Sequence, residues 1–177
     1  MGWGGWQAGG SRRLRPHDTR PSAHEASRRN RSASAQRELR RLLDHLAGRG
    51  AVDLSTLRGP LVINLWQSAC EACKHEMPIL QAFHEKYGGQ VAVLGIDSTD
   101  TFPGEALEQL KDRGVTYPQL ADPDGDLQET AAFAQVRGYP HLTFVDADGD
   151  IAYEKSGAVQ SADELESLVE EHLGVSL

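Results

Sequence analysis

The sequence predicts an α/β fold in which helices flank a central mixed β-sheet. Two apolar, strand-like segments at residues 61–66 and 91–97 are each followed by a helical pattern, which is the order typical of parallel strands. Beyond residue 140 the pattern changes to two short strands separated by Asp148-Gly149, which is the turn chemistry of an antiparallel hairpin. Parallel strands followed by an antiparallel hairpin give a mixed sheet.

By composition the chain divides into three parts. Residues 1–36 are rich in Arg, Gly and Ser and show no apolar periodicity, which predicts a disordered extension. Residues 37–50 are predicted as a short helix and linker, because leucines recur at helical spacing over residues 36–46 and glycines follow them. Residues 51–177 are long enough for one globular domain with its own core.

The charge balance differs between the N-terminal arm and the domain. Residues 1–41 carry ten Arg against three acidic residues, whereas the rest of the chain carries 8 Lys and Arg against 23 Asp and Glu. An acidic domain lacks the basic face on which nucleic-acid binding depends, so nucleic acid is not an expected partner of the domain. The arm shows neither an apolar signal-peptide core nor a membrane anchor, since its Arg12-Arg13 pair is followed by polar residues.

The remaining elements follow from apolar spacing and from residues that start or stop helices. The predicted helix over residues 70–87 contains Pro78, which predicts a kink, and the last helix begins with the capping box Ser161-x-x-Glu164. After the strand at residues 61–66 we predict a helix over residues 70–87, and after the strand at 91–97 we predict helices over 103–113 and 127–135. Strands over 142–145 and 151–155 follow, and a last helix ends at Gly174.

The only two cysteines, Cys70 and Cys73, lie three residues apart where the first long helix begins. At that place the unpaired N–H groups and the positive end of the helix dipole stabilise a thiolate, so Cys70 is the expected nucleophile and Cys73 the resolving thiol. Glu71 adds negative charge beside Cys70, which disfavours the thiolate and favours a reducing character. The pair is therefore interpreted as a redox-active disulfide that needs no metal or organic cofactor.

Three segments in the right order resemble the TlpA/ResA-type thioredoxin-like disulfide reductases. The segment WQSACEACKHEMP at residues 66–78 is similar to the active site of that family. Residues 52–59 resemble the approach to its first core strand, and residues 136–140 resemble its cis-proline loop. The resemblance spans residues 52–174 and implies a thioredoxin fold with the extra strand-helix insertion of TlpA-like proteins.

The resemblance also implies roles for individual residues. Pro140 is expected to form a cis peptide bond and to present backbone groups to a substrate strand beside the dithiol, and Glu76 is expected to tune proton affinity at the cysteines. Where the family commonly has Trp before the first Cys, Pro before the second and Thr after the cis-proline, this chain has Ala69, Ala72 and His141. The residues expected around the substrate are Trp66, Glu71, Ala72, Tyr139 and His141.

For Trp66, packing at the strand end is the alternative to substrate contact. For His141, one hypothesis is that it lies close enough to Cys70 to favour the thiolate.

The implied function is thiol–disulfide exchange with protein thiols and disulfides, with reduction favoured over oxidation of the substrate. The implied processes are envelope thiol homeostasis and cytochrome c maturation. The implied location is the extracytoplasmic envelope, whereas the sequence alone is also compatible with the cytoplasm. The implied reductant is a membrane thiol relay, and the protein is expected to be a monomer.

Two alternatives remain open, a peroxiredoxin-like antioxidant and a non-catalytic thioredoxin-fold binding module. The peroxiredoxin pattern would need Thr where Gln67 stands. A zinc site would need a second pair of ligands, which the sequence does not offer.

Overall fold

In the computed structural model, residues 42–45, 51–54 and 57–177 are described, and the predicted disordered extension over residues 1–36 lies outside them. Seven strands form one sheet with the spatial order β2-β1-β5-β4-β3-β6-β7. The strands are β1 (Leu42–His45), β2 (Ala51–Asp53), β3 (Leu61–Trp66), β4 (Ala92–Ser98), β5 (Gln119–Asp122), β6 (His141–Val145) and β7 (Ile151–Ser156). The helices are α1 (Glu71–Tyr87), α2 (Pro103–Asp112) and α3 (Ala162–Leu173), with a short 3-10 helix at Asp126–Glu129.

The sheet is mixed, as the sequence predicts. Strands β3, β4 and β5 run parallel to one another, while β6 is antiparallel to β3 and β7 is antiparallel to β6. Between α2 and β6 the chain adds β5 and the 3-10 helix to the plain strand-helix order. The predicted thioredoxin fold with an added strand and helix is therefore confirmed.

Alternation along β3 divides the core between the two faces of the sheet. Val62 packs with α1 and α3 through Leu80, Phe83, Leu165 and Val169. Ile63 and Leu65 point to the opposite face, where residues 127–136 cover the sheet. All six residues of β3 are buried, which explains why this strand reads as a continuous apolar run rather than an alternating one.

Two helix predictions are wrong in part. Residues 42–45 form strand β1, which pairs antiparallel with β5, and the rest of the predicted helix at 36–46 lies outside the described residues. Backbone pairing with β2 and β5 here outweighs the helical spacing of the leucines. The predicted helix at 127–135 is only a 3-10 turn at Asp126–Glu129 followed by turns. Strand β5 was not predicted, because four residues between turn signals carry no clear period.

None of the helices among the described residues is both long and apolar enough to cross a membrane. The longest, α1, has 17 residues and contains charged side chains.

Gly95, in the middle of β4, leaves room for a buried side-chain hydrogen bond. The indole Nε1 of Trp66 donates to Oε1 of Gln119 at 3.0 Å, and a Cβ on Gly95 would overlap that same amide group. We expect Gly95→Ala to displace Gln119 and to lower the free energy of unfolding by about 1–3 kcal/mol, since a buried donor loses its acceptor. Urea unfolding measures the change, and Gly89→Ala, where a Cβ meets open space, is the neutral control.

Candidate active site

The two cysteines form a disulfide at the beginning of α1. Their Cα atoms are 5.3 Å apart, and Cys70 is the N-cap residue, with its Sγ accepting a hydrogen bond from the backbone N–H of Cys73 at 3.1 Å. Cys70 is partly exposed, whereas Cys73 is fully buried against Trp66, Met77, Ala106 and Leu110. Solvent and partners therefore reach Cys70 first, in the position where the helix N-terminus stabilises a thiolate.

The loop before Cys70 is fixed to the end of β4 by a carboxylate. Asp100 accepts the backbone N–H of Ser68 at 2.6 Å on one oxygen and that of Phe102 at 2.9 Å on the other. Burial alone would raise the pKa of Asp100, but these hydrogen bonds outweigh it and hold the pKa below its usual value. An ionised Asp100 thus ties the active-site loop to the start of α2.

Glu76 lies one turn beyond Cys73 on the buried side of α1. Its Oε1 accepts the backbone N–H of Val159 at 2.8 Å, while its Oε2 is buried without a hydrogen-bond partner among the described residues. Burial raises the pKa of Glu76 to about 7, against the opposing effects of the Val159 hydrogen bond and the positive charge of Lys155. A buried carboxyl group with one unused oxygen and a pKa near neutrality can both accept and release a proton.

A second carboxyl group, Asp97, lies beside Trp66 in the parallel register of β3 and β4. Burial is the main cause that raises the pKa of Asp97 to about 8, and the charge of Asp100 and a hydrogen bond to it act in the same direction. At neutral pH Asp97 is therefore mostly protonated and donates to the ionised Asp100.

This pKa gives Asp97 a defined effect on stability. Because its pKa is raised in the folded protein above its ordinary value of 3.8, the folded state holds a proton that the unfolded chain releases, and the free energy of unfolding falls between about pH 4 and pH 8. Asp97→Asn keeps a donor toward Asp100 and removes the buried charge. We expect it to raise the free energy of unfolding at pH 8 by about 1–3 kcal/mol and to change it little at pH 4.

The measurement is urea unfolding of the oxidised protein at both pH values, with the exposed turn residue Asp124→Asn as control. An equal effect of Asp97→Asn at pH 4 and pH 8 would contradict the assignment.

The Tyr139–Pro140 peptide bond is cis, which confirms the conformation that the resemblance implies. Pro140 is buried, and its carbonyl accepts the N–H of Gly157 at 2.9 Å. Tyr139 is partly buried, and both Tyr139 and Cys70 pack against the apolar cluster that contains Trp66 and Cys73. The cis-proline loop and the dithiol thus share one supporting cluster. A second cis bond, Gly59–Pro60, precedes β3 and was not predicted.

Two residues expected to contact the substrate, Trp66 and His141, have buried side chains. Trp66 is fully buried, so of its two interpretations the structure supports packing. His141 pairs directly with Leu65, so its side chain is on the sheet face opposite α1. The two ring nitrogens of His141 lie 3.1 Å from Glu154 Oε1 and 3.4 Å from Ser156 Oγ, both on β7. The hypothesis that His141 stabilises the Cys70 thiolate is therefore not supported.

Glu71 and Ala72, the two residues between the cysteines, are exposed. The carboxylate of Glu71 accepts a hydrogen bond from Lys74 Nζ at 3.1 Å, and this interaction lowers the pKa of Glu71. The negative charge beside Cys70 is therefore present at neutral pH but is partly balanced by Lys74. Both side chains are available to a partner that docks on Cys70.

Sequence reasoning missed four polar residues around the site, Gln67, Asp97, Thr99 and Asp100. Three of them belong to the run Asp97-Ser98-Thr99-Asp100, which ends a buried parallel strand next to the strand that leads into the dithiol. A polar run at the carboxyl end of such a strand is the signal that would have found them, because ligand sites in parallel sheets gather at that edge. Within the described residues, no group of three or more Cys, His, Asp or Glu is arranged to hold a metal ion.

Comparison with known proteins agrees with this geometry. The family described as AhpC/TSA matches residues 41–154. The thiol:disulfide interchange protein DsbE of Allochromatium vinosum is 32% identical over 117 residues, which cover 64% of this chain and 61% of that protein. The thiol-disulfide oxidoreductase ResA of Oceanobacillus iheyensis is 25% identical over 112 residues, or 61% of this chain and 55% of that protein. The chain thus matches little more than half the length of these curated relatives.

Among solved structures, a secreted Mycobacterium tuberculosis disulfide oxidoreductase, described as homologous to E. coli DsbE, has a TM-score of 0.65 at 25% identity. The match covers 76% of this chain and 98% of that one. The fold of this chain is therefore similar to that of a known disulfide oxidoreductase.

Proposed function

The chain belongs to the AhpC/TSA family, and on that basis we propose that its Cys70–Cys73 pair reduces disulfide bonds in protein substrates. The observation that carries the proposal is the asymmetry of the pair. One sulfur is partly exposed and accepts an N–H at a helix N-terminus, while the other is buried directly behind it. That arrangement suits an attacking thiolate and a resolving thiol.

In the first step the reduced Cys70 thiolate attacks one sulfur of a substrate disulfide. The substrate S–S bond breaks, a mixed disulfide forms between Cys70 and the substrate, and the other substrate sulfur leaves as a thiolate. Pro140 and Tyr139 lie on the loop that shares a supporting cluster with Cys70 and offer the backbone against which the substrate chain is positioned. Glu71 and Ala72, both exposed, complete the contact surface.

In the second step Cys73 attacks the Sγ of Cys70. The mixed disulfide breaks, the second substrate sulfur leaves, and the Cys70–Cys73 disulfide closes, so two electrons pass from the enzyme dithiol to the substrate. Because Cys73 is buried, its thiol must lose a proton to a nearby group. Glu76, one helical turn further along α1, has an oxygen without a hydrogen-bond partner in the described part of the chain and is the proposed acceptor. Glu76 then releases this proton to the departing thiolate or to solvent.

The charges around the pair support the proposed reducing direction. A redox pair becomes more oxidising when its thiolate is stabilised, since the reduced form is then favoured. Here the buried carboxyl group of Glu76 and the exposed carboxylate of Glu71 both oppose negative charge on sulfur, and Lys74 balances Glu71 only in part. These two carboxyl groups favour the disulfide form and act against the stabilisation of the thiolate by the helix N-terminus, which supports a reducing role for the dithiol.

The setting that fits this activity is extracytoplasmic. Substrates with disulfide bonds occur in oxidising compartments, and the solved relative named above is described as secreted. Cysteine pairs of apocytochromes c and other envelope thiols are the proposed substrates, with a membrane thiol relay as the reductant that restores the dithiol. Each step uses residues of one chain, so the protein is expected to act as a monomer.

The test is a single-turnover reaction of the reduced protein with insulin. We expect insulin disulfides to be lost in equal number to the Cys70–Cys73 disulfides that form, as measured by thiol labelling and mass spectrometry, and protein alkylated at both cysteines is the control. Consumption of hydrogen peroxide faster than of insulin would instead indicate the peroxiredoxin-like activity. A pair that reacts with neither would indicate a binding module.

A further inference from the structure

Thr99, which follows β4, joins the loop before Cys70 to the loop of the cis-proline. Its Oγ1 accepts a hydrogen bond from Gln67 Nε2 at 2.6 Å, and it lies 3.1 Å from the hydroxyl oxygen of Tyr139. Gln67 is three residues before Cys70, and Tyr139 immediately precedes Pro140. One hydroxyl group therefore connects the two loops that a substrate must contact together.

The hydroxyl groups of Thr99 and Tyr139 belong to a small hydrogen-bond network at the end of β4. Thr99 Oγ1 accepts from Gln67, and its single proton goes either to the carbonyl oxygen of Ser98 at 2.7 Å or to the hydroxyl oxygen of Tyr139, which itself donates to Ser98 Oγ. Ser98 Oγ donates to Asp122 and accepts from Tyr139 at 3.2 Å, while Gln128 donates to the same tyrosine hydroxyl. Gln67 Nε2 also lies within hydrogen-bond distance of the carbonyl oxygens of Ser98, at 3.0 Å, and Thr99, at 3.2 Å. Residues 98 and 99 together therefore join the tyrosine to the dithiol loop, and Thr99 Oγ1 is within hydrogen-bond distance of both the Gln67 and the Tyr139 side chains.

The backbone and the methyl group of Thr99 give independent support. Thr99 is the one non-glycine residue in the described part of the chain with a positive φ, at 55°, a conformation that β-branched residues rarely adopt. Its Cγ2 occupies the space that a Cβ on Gly125 would need. A strained residue that is held in place by side-chain contacts on both sides is typical of functional sites.

We infer that Thr99 is a positioning residue that sets the distance between the dithiol loop and the cis-proline loop, and thereby the affinity for protein substrates. The inference rests on the proposed function, because it assigns to Thr99 the geometry of that same site. Thr99 is not a catalytic residue, since it acts through Gln67 and Tyr139. Its loss changes how a polypeptide is held across both loops, while a small dithiol, which needs only Cys70, reacts as before.

The experiment compares Thr99→Val, which keeps the shape and removes the hydroxyl, with Thr99→Ser, which keeps the hydroxyl. With insulin as substrate and excess dithiothreitol as reductant, we expect Thr99→Val to raise KM about 5–10-fold with kcat within about twofold of wild type, because the site is misplaced rather than removed. Thr99→Ser should return KM to within about twofold of wild type. Thr101→Val, the same substitution at an exposed threonine two residues away, is the matched control and should leave KM unchanged.

An unchanged KM in Thr99→Val, an equal fall in the rates with insulin and with dithiothreitol, or a failure of serine to restore KM would overturn the inference. If Thr99→Val does not fold, Tyr139→Phe removes the same link from the other side and should raise KM similarly.

Amide hydrogen exchange over residues 67–70 and 138–141 tests the link without reference to activity. It should be faster in both loops of Thr99→Val and normal in Thr99→Ser, and unchanged exchange would overturn the inference. Insulin left intact by the wild-type protein would reject the proposed function, and hydrogen exchange would still decide the role of Thr99.

Discussion

Replacing Cys70 by serine is expected to slow disulfide exchange with insulin by more than about 10³-fold, because the attacking thiolate is removed and the buried Cys73 cannot replace it. Cys70 is the partly exposed sulfur at the N-terminus of α1, whereas Cys73 is fully buried. The rate of thiol appearance on insulin, with equal amounts of each reduced protein, measures the effect.

Cys73→Ser is the matched control for this prediction. It keeps the attacking thiolate and removes the resolving thiol, so it should form the mixed disulfide at a rate near that of wild type and then stop. Mass spectrometry should show insulin chains bound covalently to Cys70. Covalent adducts on Cys73 in the Cys70→Ser protein, formed at the wild-type rate, would reverse the assignment of the two roles.

Replacing Glu76 by glutamine is expected to change the pH dependence of the second step. Burial raises the pKa of Glu76 to about 7, so above that pH the carboxylate can accept the proton of Cys73. In the wild-type protein the rate at which the mixed disulfide resolves should therefore rise through about pH 7. In Glu76→Gln it should rise only at higher pH, as the buried thiol itself ionises, and should be about 10–100-fold slower at pH 7.5.

Rapid acid quenching followed by mass spectrometry, from pH 5.5 to pH 9, measures this step. Glu85→Gln, at an exposed glutamate on the same helix, is the control and should leave the profile as in wild type. The same profile in Glu76→Gln and wild type would show that Glu76 does not handle the proton. The substitution should also raise stability at pH 8 relative to pH 5, because the buried glutamate favours folding only while it holds its proton.

The sequence was sufficient to predict the reacting pair and its surroundings along the chain. Cys70 and Cys73 lie at the start of the predicted helix, the bond before Pro140 is cis, and the capping box at the last helix is present, with Ser161 Oγ accepting the N–H of Glu164 at 3.1 Å. The cysteine pair and the capping box depend on residues close together in sequence, where spacing and propensity determine the outcome, whereas the cis bond was expected from the family resemblance.

The features that escaped prediction depend on contacts distant in sequence. The hydrogen bond that the Glu76 carboxyl group accepts comes from the N–H of Val159, which lies 83 residues further along the chain. The sheet face on which the His141 side chain lies is set by the pairing register of β6 against β3, since a shift by one residue would place it on the other face. Strand β1 exists because β5 offers it a pairing edge, which no local pattern at residues 42–45 reveals.

The central claim is that the Cys70–Cys73 pair is a redox-active reductant rather than a structural bridge. Equilibration of the protein in dithiothreitol and glutathione buffers of known potential, with the oxidised fraction measured by thiol labelling, tests it most directly. We predict a single two-electron transition near −250 mV or somewhat below, within reach of the known reducing members of this fold. A transition near −120 mV would contradict the reducing direction, and a disulfide that does not exchange at all would contradict the oxidoreductase activity itself.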